Sequence, residues 1–287
     1  MSSGITVEDL HLFHKIDRDV FTRLVVCLSR DPAESLLVLA MWLWLEEVRF
    51  PSLIDKMVKL PDGIVIKLAE EGATCLKWLE SKVPPVPTDV GDMPSTTIIL
   101  KRNISFNMFY QQRFTMISGI KTLLNKVCAI IFTDILHQIM PGKSRVVLNS
   151  PIPIPGFPHP TYGAITVVPR TLDSIIPSRG LWGWSLKSDA PVDDRTMFLT
   201  FSRGFPVTEA EVKELFNSYH GIDCVENVHM VPSASSSDHS LYARMVVRDV
   251  STIDQILCNG SIAKFRINGK HVWARKYERR EHLDKFY

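Results

Sequence analysis

Two short segments in the last third of the chain alternate apolar and outward-facing side chains, which predicts two β-strands. Residues 197–202 turn Phe198 and Thr200 away from the face that carries the core positions. Residues 242–247 do the same with Tyr242, Arg244 and Val246. Aromatic rings and a guanidinium plane on the open face of a sheet can stack on planar groups of a ligand. The chemistry that these residues predict is therefore stacking, with no bond made or broken.

The segments around these two strands predict the order strand, helix, strand, strand, helix, strand over residues 195–277. The first helix begins with a capping box, Thr208-Glu209-Ala210-Glu211, and its apolar stripe comprises Val212, Leu215, Phe216 and Tyr219. Residues 251–254 are predicted to cap the second helix. The dipeptide Asn268-Gly269 predicts a tight turn that leads into the last strand, residues 271–277.

Further candidates for the open face lie on the second and last predicted strands. Residues 225–230 alternate so that Asn227 and His229 offer hydrogen bonds at the edge of the sheet. The last strand turns Trp273 and Arg275 to the side shared with Phe198 and Tyr242. A surface with three aromatic platforms could bind successive bases at about 1 to 3 kcal/mol each.

The two strand motifs resemble those of the RNA-recognition-motif family. Phe198 stands at the stacking position of the family's first-strand hexamer. In the third-strand octamer, Ser240, Leu241 and Tyr242 stand where the family usually has a basic residue, glycine and an aromatic, and Arg244 replaces the second aromatic. The resemblance implies a ferredoxin-like βαββαβ domain, a nucleotide-binding α–β plait, over residues 191–280, with single-stranded RNA bound on its sheet. The RNA-binding residues then expected are Phe198, Thr200, Asn227, His229, Tyr242, Arg244, Trp273, Arg275, Lys276 and Tyr277.

The charge of this region leaves two functions open. Residues 191–287 carry 13 basic and 13 acidic side chains, so the region has no formal net charge. The positive charge is concentrated near the end of the chain in a basic stripe, which comprises Lys264, Arg266, Lys270, Arg275, Lys276, Arg279 and Arg280. This stripe could contact a phosphate backbone or form a solvated face. The alternative function is a protein-interaction module of the same fold, in which the aromatics and Val246 contact a peptide or the connector tryptophans.

Residues 6–140 are predicted to form an all-α domain, so the whole chain is expected to be an α+β protein. The motif Asp31-Pro32-Ala33-Glu34 predicts a helix start, and the apolar run 36–45 follows it. Trp42 and Trp44 cannot share one helical face, so this helix is expected to be covered on most sides. The run is too short to span a bilayer, which favours a central core helix over a membrane contact. Further helices are predicted over 17–28, 52–58 and 65–80.

The remainder of this half predicts a strand-like patch at 96–100 and then one long helix. Apolar residues recur at helical spacing from Phe106 to Ile135, with Gly119 as a weak point in that helix. The stripe could bury against the first helices or against a second copy of the chain. The run from Phe13 through the Asp31 motif to Glu46 resembles a plant group of proteins that carry a helical region before an RNA-recognition-motif-like domain. That resemblance implies the two-part architecture and no activity.

Residues 141–190 are predicted to be a proline-rich connector that is extended and semi-rigid. Its prolines are Pro151, Pro153, Pro155, Pro158 and Pro160. The connector could hold the two domains apart or serve as a polyproline ligand for a partner protein. Near its end, Trp182 and Trp184 could dock on the terminal domain, enter a partner's groove or stack on nucleotides.

Several function classes find no support in the motifs. The chain has no glycine-rich phosphate loop, no nucleophile elbow and no paired-histidine metal motif, so we expect no enzyme, cofactor or metal site. Its histidines, including His11, His14 and His137, are expected to be packed or at the surface. The five cysteines, the net charge of +2 and the polar start predict an intracellular protein of the nucleus or cytoplasm with no membrane contact. The expected partners are single-stranded RNA and a protein bound through the helical domain or the connector.

Overall fold

A computed structural model describes residues 4–85, 92–140, 147–176, 190–202, 206–231 and 240–278. The chain divides into two compact units, residues 1–186 and 187–287. The first unit is helical over residues 7–139, and the second contains an antiparallel sheet with two helices. The expected α+β class is confirmed at this level.

The structure describes ten α-helices in the first unit. They are α1 Val7–Phe13, α2 Lys15–Thr22, α3 Pro32–Val48, α4 Leu53–Val58, α5 Asp62–Glu80, α6 Pro94–Leu100, α7 Phe106–Tyr110, α8 Arg113–Leu123, α9 Ala129–Ile131 and α10 Thr133–Ile139. Two π-helical turns, Arg23–Cys27 and Leu124–Cys128, continue α2 and α8. The stretch Arg113–Ile131 is long and apolar enough to cross a membrane, and most of it is buried inside this unit.

Helix α3 is the centre of the first unit, as its sequence predicts. The Asp31 carboxylate accepts a hydrogen bond from the Glu34 amide at 2.8 Å, and Pro32 occupies the first turn. Both Trp42 and Trp44 are almost fully buried. Burial on all sides explains why this helix is apolar around its whole circumference.

For residues 96–135, the predicted strand-like patch is wrong and the predicted long helix is right only over Arg113–Ile131. Residues 96–100 belong to helix α6, because Pro94 is at its first turn and the Glu71 carboxylate accepts from the amides of Ser95 and Thr96 at 2.7 and 2.8 Å. The predicted long helix is interrupted between α7 and α8 and again at Phe132. At the first break Arg113 donates to the carbonyl of Leu79, at the end of α5. That contact supplies a partner for a carbonyl at a helix terminus.

The prediction of an extended connector is wrong for residues 147–176. Ile154, Tyr162 and Val167 are buried in the core of the helical unit, and the Tyr162 hydroxyl donates to the Leu76 carbonyl at 3.3 Å. The amide of Ile176 donates to the Ile5 carbonyl at 2.8 Å. Apolar residues between the prolines, which the proline count did not take into account, fold this segment onto the helices. Trp182 and Trp184 lie outside the described residues.

The described residues of the second unit form five strands, one more than the four predicted. The elements are β1 Thr196–Phe201, α11 Glu209–His220, β2 Val225–Val231, β3 Tyr242–Val247, α12 Val250–Leu257, β4 Ile262–Ile267 and β5 Lys270–Lys276. The strand order is β2-β3-β1-β5-β4, and each described pair of neighbouring strands is antiparallel. Asn268 and Gly269, both at positive φ, join the additional strand β4 to β5 in a tight hairpin.

The two helices pack on one face of this sheet through Val212, Phe216, Ile253 and Ile256. The predicted capping box of α11 is present: the Thr208 amide donates to the Glu211 carboxylate at 2.8 Å, and the Glu211 amide donates to the Thr208 hydroxyl at 3.2 Å. These bonds, with Lys270 and Asn268 nearby, lower the pKa of Glu211 to about 2.

Two details of these helices differ from the prediction. The cap of α12 is Asp249, whose side chain accepts from the Ser251 amide at 2.9 Å, and not residues 251–254. Tyr219, predicted in the buried stripe of α11, is 69% exposed and contacts Phe265 at its edge. The buried stripe is therefore shorter than the spacing indicates, because the last turn of α11 extends beyond the core.

Candidate functional site

The register of the sheet places the predicted face residues in two rows on the side opposite the helices. Cα partners in antiparallel strands share a face, so each row crosses all five strands. The first row is His229, Arg244, Phe198, Arg275 and Ile262. The second row is Val231, Tyr242, Thr200, Trp273 and Lys264. We call the surface formed by these two rows, together with Asn227 and Arg266, which continue the same alternation on β2 and β4, the open face.

Phe198 is at the middle of the open face and contacts a ring and a cation. Its ring centroid lies 5.7 Å from that of Tyr242, with 29° between the planes. The Arg275 Cζ atom lies 4.7 Å from the Phe198 centroid. Tyr242 is 37% exposed, whereas Phe198 is half-buried between its neighbours. The structure thus brings the two predicted aromatic rings, Phe198 and Tyr242, together with the Arg275 guanidinium in one continuous patch of planar groups.

A second aromatic patch is formed where β5 meets β4. Trp273 is 47% exposed, and the Lys264 ammonium lies 4.7 Å from the centroid of its ring. A shallow depression of about 200 Å³ separates this tryptophan from Phe198; its lining residues are Phe198, Thr200, Ile262, Trp273, Ala274 and Arg275. The rings of Phe198 and Trp273 therefore line two sides of an open depression, which could receive a planar group of a ligand.

The edge strand β2 provides the predicted hydrogen-bonding pair. Asn227 Nδ2 and His229 Nε2 lie 3.2 Å apart, and both side chains are exposed. The side-chain Oδ1 of Asn227 accepts a hydrogen bond from the Val228 amide at 2.8 Å, next to an irregularity in the register with β3. The two side chains are thus held close together at the edge of the open face.

Lys276 and Tyr277 are placed differently from the other predicted residues. The Lys276 ammonium donates to the carbonyls of Asp193 and Thr196, at 2.6 and 3.3 Å. It therefore joins β5 to the chain before β1 and is not part of the open face. Tyr277 is half-buried, its amide donates to the Thr196 carbonyl, and its ring centroid lies 5.8 Å from the Arg244 Cζ atom.

One end of the sheet is covered. Val246 is 6% exposed and Thr196 is 4% exposed, although the alternation of their strands places both on the same side of the sheet as the open-face residues. A 3₁₀ turn, Val192–Arg195, lies next to β3 here. Arg195 is paired with Glu226 and donates to the Val247 carbonyl. Val246 is therefore not available to a ligand, which removes one contact of the predicted peptide-binding alternative.

The strands that form the open face are strongly basic. Of the residues in the five strands, Glu226 alone is acidic, and it is paired with Arg195. Arg244, Arg275, Lys264 and Arg266 are all exposed on the strands. The neutral net charge of the region thus conceals a separation of charge, because its acidic side chains lie outside the strands that carry these cations.

Sequence reasoning missed the contribution of Ile262, Lys264 and Arg266 to the open face. It assigned the two cations to a basic stripe and predicted no strand for residues 262–267. The signal was present: Ile262, Lys264 and Arg266 alternate with Ala263, Phe265 and Ile267 immediately before Asn268-Gly269, which is typical of a hairpin strand. Arg279 and Arg280, the last cations of that stripe, lie outside the described residues.

Comparisons with protein-family models, with curated proteins and with solved structures found no match to this chain. In the part of the chain that the structure describes, no group of three or more histidine, cysteine or acidic residues could hold a metal ion. The geometry of the open face is therefore the feature from which a function can be inferred.

Proposed function

We propose that the second unit binds single-stranded RNA on its open face. In this proposal the unit is a ferredoxin-like domain of the RNA-recognition-motif kind, with β4 as an addition. The strand order supports this: β1 and β2 are joined through α11 with β3 between them, and β3 and β5 are joined through α12 and the additional strand β4 with β1 between them. Two interleaved βαβ units of this kind define the split βαβ plan.

The observation that carries the proposal is the patch of Phe198, Tyr242 and Arg275. Bases of single-stranded RNA stack on aromatic rings and on guanidinium planes, and each base stack contributes about 1 to 3 kcal/mol. Trp273 adds a further exposed ring at a neighbouring position in the second row. The spacing of the rings across adjacent strands suits consecutive bases of one strand.

The cations of the open face suit the phosphates of the same ligand. Lys264 and Arg266 lie on the outermost strand of that edge, beyond the aromatic rings. A backbone that crosses the edge there would meet positive charge with no acidic side chain on β4 or β5. Asn227 and His229 would offer base-edge hydrogen bonds at the opposite edge. The helical unit is, in this proposal, a scaffold or an interaction domain.

The test is titration of the full-length chain with a pool of short single-stranded RNAs at moderate salt. The double variant Phe198→Ala/Tyr242→Ala removes two platforms, so the dissociation constant should rise about thirtyfold or more. Far-UV circular dichroism verifies that the variant is folded.

Tyr219→Ala is the matched control. It removes an aromatic side chain that is 69% exposed on α11, one of the helices on the other side of the sheet. RNA affinity should not change in this variant. Absence of saturable RNA binding by the full-length chain, or equal affinity of the double variant and the parent, would contradict the proposal.

The second candidate function is a peptide-binding face, and one observation favours it. Ile262 is 47% exposed beside Trp273, and both line the depression next to Phe198. An apolar side chain of a peptide could occupy that position. This candidate predicts that the full-length chain does not bind the RNA pool, so the same titration separates the two functions.

A further inference from the structure

The helical unit contains a cavity of about 710 Å³ that is separate from the open face. It lies between α1, the segment from Asn125 to Gln138, and residues 166–172. Its volume falls within the range of about 300 to 1,000 Å³ that is typical of small-molecule sites. Apolar side chains, including Val7, Ala129 and Val168, form much of its lining.

Backbone hydrogen bonds hold the wall formed by residues 166–172 in place. The amides of Val7 and Glu8 donate to the carbonyls of Ser174 and Leu172, each at 3.0 Å. At the other end of this wall, the Ile152 amide donates to the Val167 carbonyl at 2.8 Å. The cavity is therefore preformed, and a ligand need not order its walls on binding.

Two imidazole nitrogens in the lining are buried without a hydrogen-bond partner among the described residues. They are Nε2 of His11, on α1, and Nε2 of His137, on α10. Two of the neighbouring polar groups are already paired: Asp134 with Arg18 at 2.7 Å, and the Thr133 hydroxyl with the Ile130 carbonyl at 2.9 Å. Buried polar atoms normally have partners, so two orphaned nitrogens in one cavity indicate a ligand that supplies them.

The contacts of His11 determine which kind of group it can bind. Burial, and then the charge of Arg18, lower the pKa of His11, so its ring is neutral at pH 7. The backbone of Ile130 acts in the opposite direction and raises the pKa, as expected where a carbonyl oxygen faces the ring. Because Nε2 has no hydrogen-bond partner among the described residues, we assign the proton of the neutral ring to Nδ1, the nitrogen left to face this carbonyl. The neutral ring then leaves Nε2 as an acceptor.

We infer that this cavity binds a small, mostly apolar aromatic molecule that donates an N–H or O–H hydrogen bond to His11 Nε2. The apolar lining accommodates the body of the molecule, and His137 offers a second polar contact. This inference does not depend on RNA binding, which is proposed for the other unit.

The test compares two probes of nearly equal shape on the full-length chain. Indole carries an N–H donor, whereas benzofuran has a ring oxygen at that position and no donor. Dissociation constants come from ligand-observed NMR, and ring-nitrogen resonances of ¹⁵N-histidine-labelled chain show the contact at His11. Indole should bind about tenfold more tightly, because benzofuran leaves a buried acceptor unpaired.

Variants of His11 locate the effect. His11→Phe removes the acceptor and should abolish the preference for indole, whereas His11→Gln retains an acceptor and should keep part of it. Leu12→Phe is the matched control, because Leu12 is 67% exposed on the same helix and does not line the cavity. Circular dichroism verifies folding.

Failure to bind either probe, or equal affinity of the parent chain for both, overturns the inference without any variant. A preference for indole that persists in His11→Phe also overturns it. RNA titration of the same samples reports separately on the open face.

Discussion

At the scale of single residues, Gly119 acts as a packing contact and not as the weak point in a helix that the sequence predicted. A methyl group at Gly119 would lie 2.1 Å from Trp44 Cδ1, well inside van der Waals contact. The indole of Trp44 therefore lies against the backbone of α8. The absence of a side chain at this position lets α8 approach the central helix α3.

This geometry makes Gly119→Ala a destabilising change despite the higher helix propensity of alanine. Overpacking a rigid core costs about 1 to 3 kcal/mol, more than the roughly 1 kcal/mol that alanine contributes in a helix. The free energy of unfolding of the helical unit should therefore fall in a denaturant titration of the full-length chain. Gly63→Ala is the matched control: Gly63 lies in α5 with nothing within 4 Å of the added methyl group, so stability should stay level or rise. Equal effects of the two substitutions would contradict the packing argument.

At the scale of elements, the hairpin of β4 and β5 determines how wide the open face is. Strand β4 supplies Ile262 and Lys264 to the two rows, and the turn at Asn268 and Gly269 fixes the register that aligns them. The Asn268 side-chain amide also donates to the Glu211 carboxylate at 2.9 Å, which connects the turn to α11. This local turn thus positions the outer cations of β4, which the aromatic rings alone do not supply.

The hairpin turn is sensitive to substitution because both of its residues have positive φ, 48° at Asn268 and 81° at Gly269. Gly269→Ala should cost the second unit about 1 kcal/mol of unfolding free energy, since a Cβ atom disfavours this backbone region. No atom lies within 4 Å of the added methyl group, so the loss would come from the backbone alone. Gly269→Asn should cost less, because asparagine tolerates positive φ better. Denaturant titration measures both; a smaller loss for alanine than for asparagine would be inconsistent with this account.

Elements that depend on local chemistry could be predicted, and those that depend on distant partners could not. Alternation and capping correctly predicted β1, β3, α3 and α11, because each signal lies within the element. Helix α6 was missed because its start depends on Glu71, more than 20 residues earlier. The fold of residues 147–176 was missed for the same reason, since the packing surface belongs to the helices. On the open face, alternation placed Phe198 and Tyr242, while the cations of β4 required the sheet register.

At the scale of the whole molecule, a net charge of +2 gives little indication of a polyanion partner, yet the open face is locally basic. The relevant quantity is the charge that a bound strand would meet, not the charge of the chain. Lys264 and Arg266 are exposed on β4, where no acidic side chain opposes them on the strand. Their contribution should appear in the salt dependence of RNA binding more clearly than in affinity at a single salt concentration.

If Lys264 and Arg266 each neutralise one phosphate, Lys264→Ala/Arg266→Ala should reduce the slope of log K against log salt by about 1.4, or 0.7 per phosphate of a single strand. Titrations of the full-length chain at several salt concentrations measure this slope. Phe198→Ala should weaken binding and leave the slope nearly unchanged, because a stacking contact releases no counterion. Lys213→Ala is the control for charge alone, since Lys213 lies on α11 and is paired with Glu209 at 2.6 Å. An unchanged slope in the Lys264/Arg266 variant would mean that these cations do not contact the RNA backbone, and the bound strand would then have to follow another path across the rings.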